Sequence, residues 1–172
     1  DTGALYRTVG LKFSNIGADT NLNCDIDAVL SETAVDIRFV DGEQRVFLDD
    51  KDVSDEIRTP TASMMASAVS AKPQVREFLL NMQRKLAEDN NVVMDGRDIG
   101  TVVLPDAEVK IYLNADCHER AIRRHQELLE KGINKELDDV EKDLQERDYR
   151  DMNRANSPLK KANDATEIDS TN

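Results

Sequence analysis

Asp95, Arg97 and Asp98 fall within four residues of one another, with Gly96 and Gly100 interleaved, in the segment 91–113, NVVMDGRDIGTVVLPDAEVKIYL. A guanidinium is the side chain best suited to bidentate phosphate recognition. Val92, Val93 and Met94 form a continuous apolar run, as expected of a strand covered on both faces, and the ionisable cluster begins where that run stops. In a parallel α/β sheet ligands bind at the carboxyl ends of the strands. The plainer alternative is a solvated turn with a structural Asp–Arg pair. Other arginines are spread along the chain: Arg7, Arg58, Arg76, the adjacent Arg123 and Arg124, then Arg147, Arg150 and Arg154 at spacings of three and four. The last trio shares one face of a helix, and Glu146, Asp148 and Asp151 lace that face, so spacing alone favours a solvated surface. The functional alternative is that several of these guanidiniums converge on one polyphosphate.

The elements that must position these groups are legible. Asp1-Thr2-Gly3 offers a helix N-cap, and Leu5, Val9, Leu11 and Phe13 mark an apolar face running up to Gly17. A second helix is expected over 26–33. Alternation at Val35, Ile37 and Phe39, then Asp41-Gly42, then Val46 and Leu48 predicts a hairpin, with a third short strand near Asp52 and Val53. Pro60 and Pro73 each open a helix, the second with apolar Val75, Phe78, Leu79, Met82 and Leu86 at helical spacing. Strands are expected at 92–94 and 109–113, followed by helices over 117–131, ended by Gly132, and over 136–153, with a short strand near the last residues. Asp50, Asp52 and Asp55 carry no functional signal by themselves.

Composition limits what such a chain does. It has 172 residues, 39% hydrophobic and 34% charged, which suits one domain with a lobe. There is no apolar run near the roughly 20 residues that span a bilayer, and no signal-peptide pattern. Cys24 and Cys117 give neither a disulfide framework nor metal-ligand spacing, which fits a reducing cytoplasm. A net charge of −12 argues against a nucleic-acid partner. Any anionic ligand must be held by local arginines against the global field.

Four blocks, DTGALYR, EIRTP with ASAVSAKPQVRE, VVMDGRDIGTVVLPDAEVKIYL, and ERDYRDMNRANSPLKKA, resemble the bacterial cytidylate kinases, which phosphorylate CMP and dCMP. The resemblance runs in order over essentially the whole chain. It implies an α/β phosphate-loop kinase fold, a three-layer parallel sheet, with a monophosphate-binding insert containing a small antiparallel sheet at 27–75 and a helical lid arm at 117–156. It further implies that Thr2, Tyr6 and Arg7 belong to the monophosphate site, joined there by Arg97. Ser67, Arg76 and Asp98 match the family's cytosine-recognising trio. A carboxylate accepts from the cytosine N4 amino group while a guanidinium donates to N3 and O2, and uracil reverses N3 and N4. Asp151 and Arg154 match positions that engage ribose and phosphates, and Arg147 and Arg150 lie on the arm that closes over the transferring group. Asp95 matches a magnesium-organising carboxylate that acts through water, since Mg²⁺ dehydrates reluctantly. The implied donor is ATP with Mg²⁺, no residue ligates metal directly, and the protein is expected to be a monomer.

One departure concerns the chemistry. The seven glycines, at 3, 10, 17, 42, 96, 100 and 132, nowhere give GxxxxGK[ST], whose amides and lysine hold the donor phosphates. In the family that loop and its strand come immediately before the DTGA segment. The chain is therefore expected to be a stretch of a longer kinase, with a strand-width gap, or a foreign segment filling it, beside 92–94 and 109–113. The alternative is a CMP-binding chain that lacks the ATP-binding loop and is catalytically incompetent.

Overall fold

The computed structural model describes residues 1–171, which form two compact units, one of residues Asp1–Gly96 and a second beginning at Arg97. Helices are combined with a small antiparallel sheet and a parallel sheet, the mixed α/β, kinase-like architecture that the sequence pointed to.

In the first unit, α1 (Gly3–Asn15) supplies Leu5, Val9 and Phe13 to the core, all essentially buried and spaced four apart. Its first turn differs from expectation, because Thr2 has helical dihedrals and its hydroxyl donates to the Asp95 carbonyl at 2.7 Å instead of capping the helix. Asp25 caps α2 (Ile26–Ser31), accepting from the Ala28 amide at 3.0 Å. The hairpin of β1 (Val35–Val40) and β2 (Glu43–Leu48) turns at Asp41 and Gly42, with φ of 54° and 83°. Two consecutive positive φ values match the right-handed strand twist, and Asp-Gly tolerates them. The register places Val35 opposite Leu48 and Ile37 opposite Val46. β3 (Lys51–Asp52) completes the sheet.

Thr59 caps α3 (Pro60–Ser70), accepting from the Ala62 amide at 3.1 Å, and Pro60 fills the first helical position, where no N–H is needed. α1 crosses α3 at Gly10, where an added Cβ would lie 3.0 Å from both the Ala66 nitrogen and the Met65 Cβ. The helices meet at backbone distance because that side chain is a hydrogen. Pro73 opens α4 (Pro73–Asp89), which buries Val75 and Leu79 as its periodicity predicts, and buries Gln83 on the same face.

The segment 92–94 is not a strand. Its residues join no described sheet; they line a cleft of about 290 Å³ with Thr2, Leu5 and Gln83, and Val93 is 99% exposed. An apolar run becomes a strand only where another backbone offers a ladder of hydrogen bonds.

In the second unit, Ile99–Val103 is a π-helical turn, with the Val103 amide reaching the Asp98 carbonyl at 3.3 Å and the Leu104 amide reaching Ile99 at 2.8 Å. The strand expected at 109–113 lies later, as β4 (Ile111–Asn114), and pairs in parallel with β5 (Thr166–Asp169). Asp116 caps α5 (Cys117–Glu130), and Gly132, at φ 72°, ends it. α6 (Leu137–Asn153) packs against α5 through Ala121, Leu128 and Val140.

Candidate functional site

Within the first unit the charged groups gather at the start of α1. The Arg7 guanidinium donates through Nη2 to the Asp1 carboxylate. The Asp1 backbone nitrogen lies 3.0 Å from Asp95 Oδ1, and both the amide and the hydroxyl of Thr2 donate to the Asp95 carbonyl, at 3.2 and 2.7 Å. Asp1, Thr2, Arg7 and Asp95 thus form one connected group. Asp1 is the member that sequence reasoning missed, because a separation of six residues falls outside the spacings that mark a helical ion pair.

The same unit holds a second group. The Arg76 guanidinium lies over the Tyr6 ring, 5.4 Å from its centroid, and its Nη1 donates to the Ser70 carbonyl at 3.3 Å. Ser67 stands on α3, one turn before Ser70. Tyr6, Ser67 and Arg76 therefore come from α1, α3 and α4, the three helices that share the core of this unit.

In the second unit Asp151 is the organising centre. Its side chain is 9% exposed; Oδ2 accepts from Arg97 Nε at 3.0 Å and lies 3.9 Å from Arg147 Nε, while Oδ1 lies 3.5 Å from Arg154 Nη1. Three guanidiniums thus gather on one buried carboxylate, in a chain whose net charge is −12. The single helical face expected of Arg147, Arg150 and Arg154 is not present. Arg154 lies past the end of α6 with extended dihedrals, so it swings back to Asp151 and donates through Nε to the Ser157 carbonyl at 2.8 Å. Arg150 donates to its own helix, at the Glu146 carbonyl, 3.3 Å away. Asp148, expected to lace that face, pairs across the helical hairpin with Arg120 at 2.7 Å.

Asp98 is 5% exposed, and its carbonyl accepts the amides of Thr101, Val102 and Val103 that begin the π-helical turn. This π-helical turn begins directly after Asp98, and π-helical insertions are frequent at functional sites. It belongs to the second unit, whereas Ser67 and Arg76 belong to the first.

The acidic residues of the hairpin are paired structurally. Asp50 binds Arg38 at 2.8 Å, and Asp52 and Asp55 share Arg45 at 2.8 and 3.3 Å. The Arg45 guanidinium, with the Ser54 hydroxyl and amide, lowers the Asp52 carboxyl to about 2. Among the described residues no group of three or more His, Cys, Asp or Glu side chains is arranged to hold a metal ion. Among the described residues no helix is long and apolar enough to cross a membrane.

Residues 1–172 match the family model described as cytidylate kinase. A cytidylate kinase of Caldicellulosiruptor saccharolyticus is 49% identical over 172 residues, which are 100% of this chain and 76% of that protein. One from Lactobacillus johnsonii is 47% identical over 172 residues, covering 100% of this chain and 75% of its own length. One from Pediococcus pentosaceus is 47% identical over 173 residues, covering 99% and 76%.

Proposed function

Because the chain belongs to the cytidylate kinase family, we propose that it accepts CMP or dCMP and transfers to it the γ-phosphoryl group of ATP, giving CDP or dCDP. The observation that carries this reading is the set of arginines held by carboxylates: Arg7 on Asp1, and Arg97, Arg147 and Arg154 on Asp151. Guanidiniums ordered before an anion arrives are suited to multiply charged phosphates.

In this reading Thr2, Tyr6 and Arg7 receive the acceptor phosphate together with Arg97. Arg76 and Ser67 face one edge of cytosine and Asp98 accepts from its amino group. Asp151 and Arg154 engage the ribose and phosphates. Residues 27–75 form the acceptor lobe and 117–156 the arm, on which Arg147 and Arg150 approach the transferring group. Transfer proceeds in line, by positioning and charge neutralisation, with no covalent enzyme intermediate.

Mg²⁺ would enter with the nucleotide and would supply positive charge against the phosphates. The donor set fits that mode: Asp95 is a single carboxylate, 74% exposed, suited to an outer contact through water and not to direct ligation. We place the protein in the cytoplasm as a monomer.

Titration calorimetry with CMP, UMP and ATP tests the reading. CMP should bind at least about tenfold more tightly than UMP, a difference of about 1.4 kcal/mol. Equal affinity would refute the cytosine assignment. The ATP arm separates the kinase from the alternative reading, a chain that binds CMP without ATP.

A further inference from the structure

We propose that Asp1 is a positioning residue for the acceptor phosphate, fixing the Arg7 guanidinium over the first turn of α1, and that Gly3 leaves room for the pair. This rests on the monophosphate reading above and adds to it a residue that touches arginine instead of substrate. The Arg7 Nη2 donates to Asp1 Oδ2. Asp1 is tied in through its neighbour, since the adjacent Thr2 donates twice to the Asp95 carbonyl. Gly3 supplies an independent observation. A Cβ at Gly3 would lie 2.8 Å from Asp1 Oδ1 and 3.2 Å from Arg7 Nη1, so a larger residue would make the tips of the paired side chains shift. The backbone of Gly3 is an ordinary helical one, so it is the space and not the dihedral that calls for glycine.

Arginine is long and rotamer-rich, and every side chain ordered on binding costs free energy that a preordered one has already lost. A carboxylate on one edge of the guanidinium aligns its remaining donors while leaving the charge available to an incoming dianion. The structure thus separates two tasks: Arg7 meets the phosphate, and Asp1 decides where Arg7 is when the phosphate arrives.

The test compares CMP with cytidine, which lacks the phosphate, by titration calorimetry in EDTA so that no metal contributes. Asp1→Ala should weaken CMP binding about tenfold, the size of one lost charged hydrogen bond, and leave cytidine within about twofold. Asp1→Asn, which keeps an acceptor oxygen in place, should retain affinity within about threefold of wild type. Gly3→Ala should reproduce the Asp1→Ala loss, and the double variant should be no weaker than either single one, as expected of two changes that break the same contact. Equal losses for CMP and cytidine would show a structural role and overturn the proposal. So would unchanged CMP binding, and so would tighter binding, which would make Asp1 a competitor of the phosphate. A wild type that does not bind CMP refutes the monophosphate reading and this inference with it. A wild type that binds CMP with Asp1→Ala unaffected refutes the inference alone.

Discussion

Replacing Asp151 by Asn removes one charge and keeps the shape, which isolates what the carboxylate does for the three arginines around it. Its side chain is 9% exposed and touches Arg97, Arg147 and Arg154, whose own side chains are 41%, 42% and 10% exposed. Losing one partner of a fully buried ion pair costs about 3–5 kcal/mol, mostly from the charge left stranded. Here the cost is discounted, because the Arg97 and Arg147 side chains are partly exposed. The cost should therefore be about 2 kcal/mol, which in a chain of this length lowers the melting temperature by about 4–8 °C. Urea unfolding followed by far-ultraviolet circular dichroism at pH 7 measures it. Repeating the titration in about 1 M salt, where the screening length falls to about 3 Å, should shrink the difference without abolishing it, since the Arg154 contact is shielded from solvent. A variant within about 0.5 kcal/mol of wild type at low salt would refute the idea that Asp151 holds the cluster together.

Other outcomes follow from the same contacts. Asp98→Asn replaces an acceptor-only group with one that also donates, so discrimination for CMP over UMP, read by calorimetry, should fall by about 1–3 kcal/mol; equal losses for both would make Asp98 structural. Arg147→Ala should lower turnover more than CMP affinity in steady-state assays, because contacts made in the transition state register in kcat, and an effect on melting alone would point to a purely structural arginine. Gly10→Val should destabilise by about 1–3 kcal/mol in urea, since its Cβ meets the Ala66 nitrogen at 3.0 Å, and an unchanged midpoint would show that the helices can part there. Finally, Asp52 is held at about 2 against an ordinary 3.8, first by Arg45 and then by Ser54. Its folded carboxyl is the more acidic, so its contribution is present above about pH 4 and disappears as pH falls towards 2. Asp52→Asn should flatten the acid limb of the stability profile in that window, and an unaltered limb would remove Asp52 from the account.

The parts of the fold that were legible in the sequence are those decided by local physics. Asp41-Gly42 fixes its hairpin by the backbone angles it tolerates, and Pro60 and Pro73 start helices because a first-turn residue needs no N–H. What could not be read depended on a partner distant in the chain. The run Val92, Val93 and Met94 has strand composition, but composition does not supply the neighbouring backbone that makes a strand. Gln83 is polar yet buried, because it stands four residues after Leu79 on the face that α4 turns inward. Within the site, the spacing of Arg147, Arg150 and Arg154 described a helix face, whereas the helix ends before Arg154 and the third partner of Asp151 is Arg97, fifty-four residues away. No periodicity reports a contact of that separation.

The ladder between β4 and β5 has a consequence for how the pair of helices α5 and α6 is tethered. Every paired residue is offset by fifty-five, from Ile111 with Thr166 to Asn114 with Asp169, so the whole of α5 and α6 is a closed loop whose two ends sit on adjacent strands. Neighbouring strands are only about 4.8 Å apart, and the helical pair therefore has a single footing, shared by its entry and its exit. It is excisable in principle. The strands are parallel, however, so a tight hairpin cannot reconnect them, and the shortest working substitute would be a crossover of about a dozen residues. Closing so long a loop is also an entropic demand on folding, which makes this ladder a late event and α5 with α6, whose contacts are local, an early one.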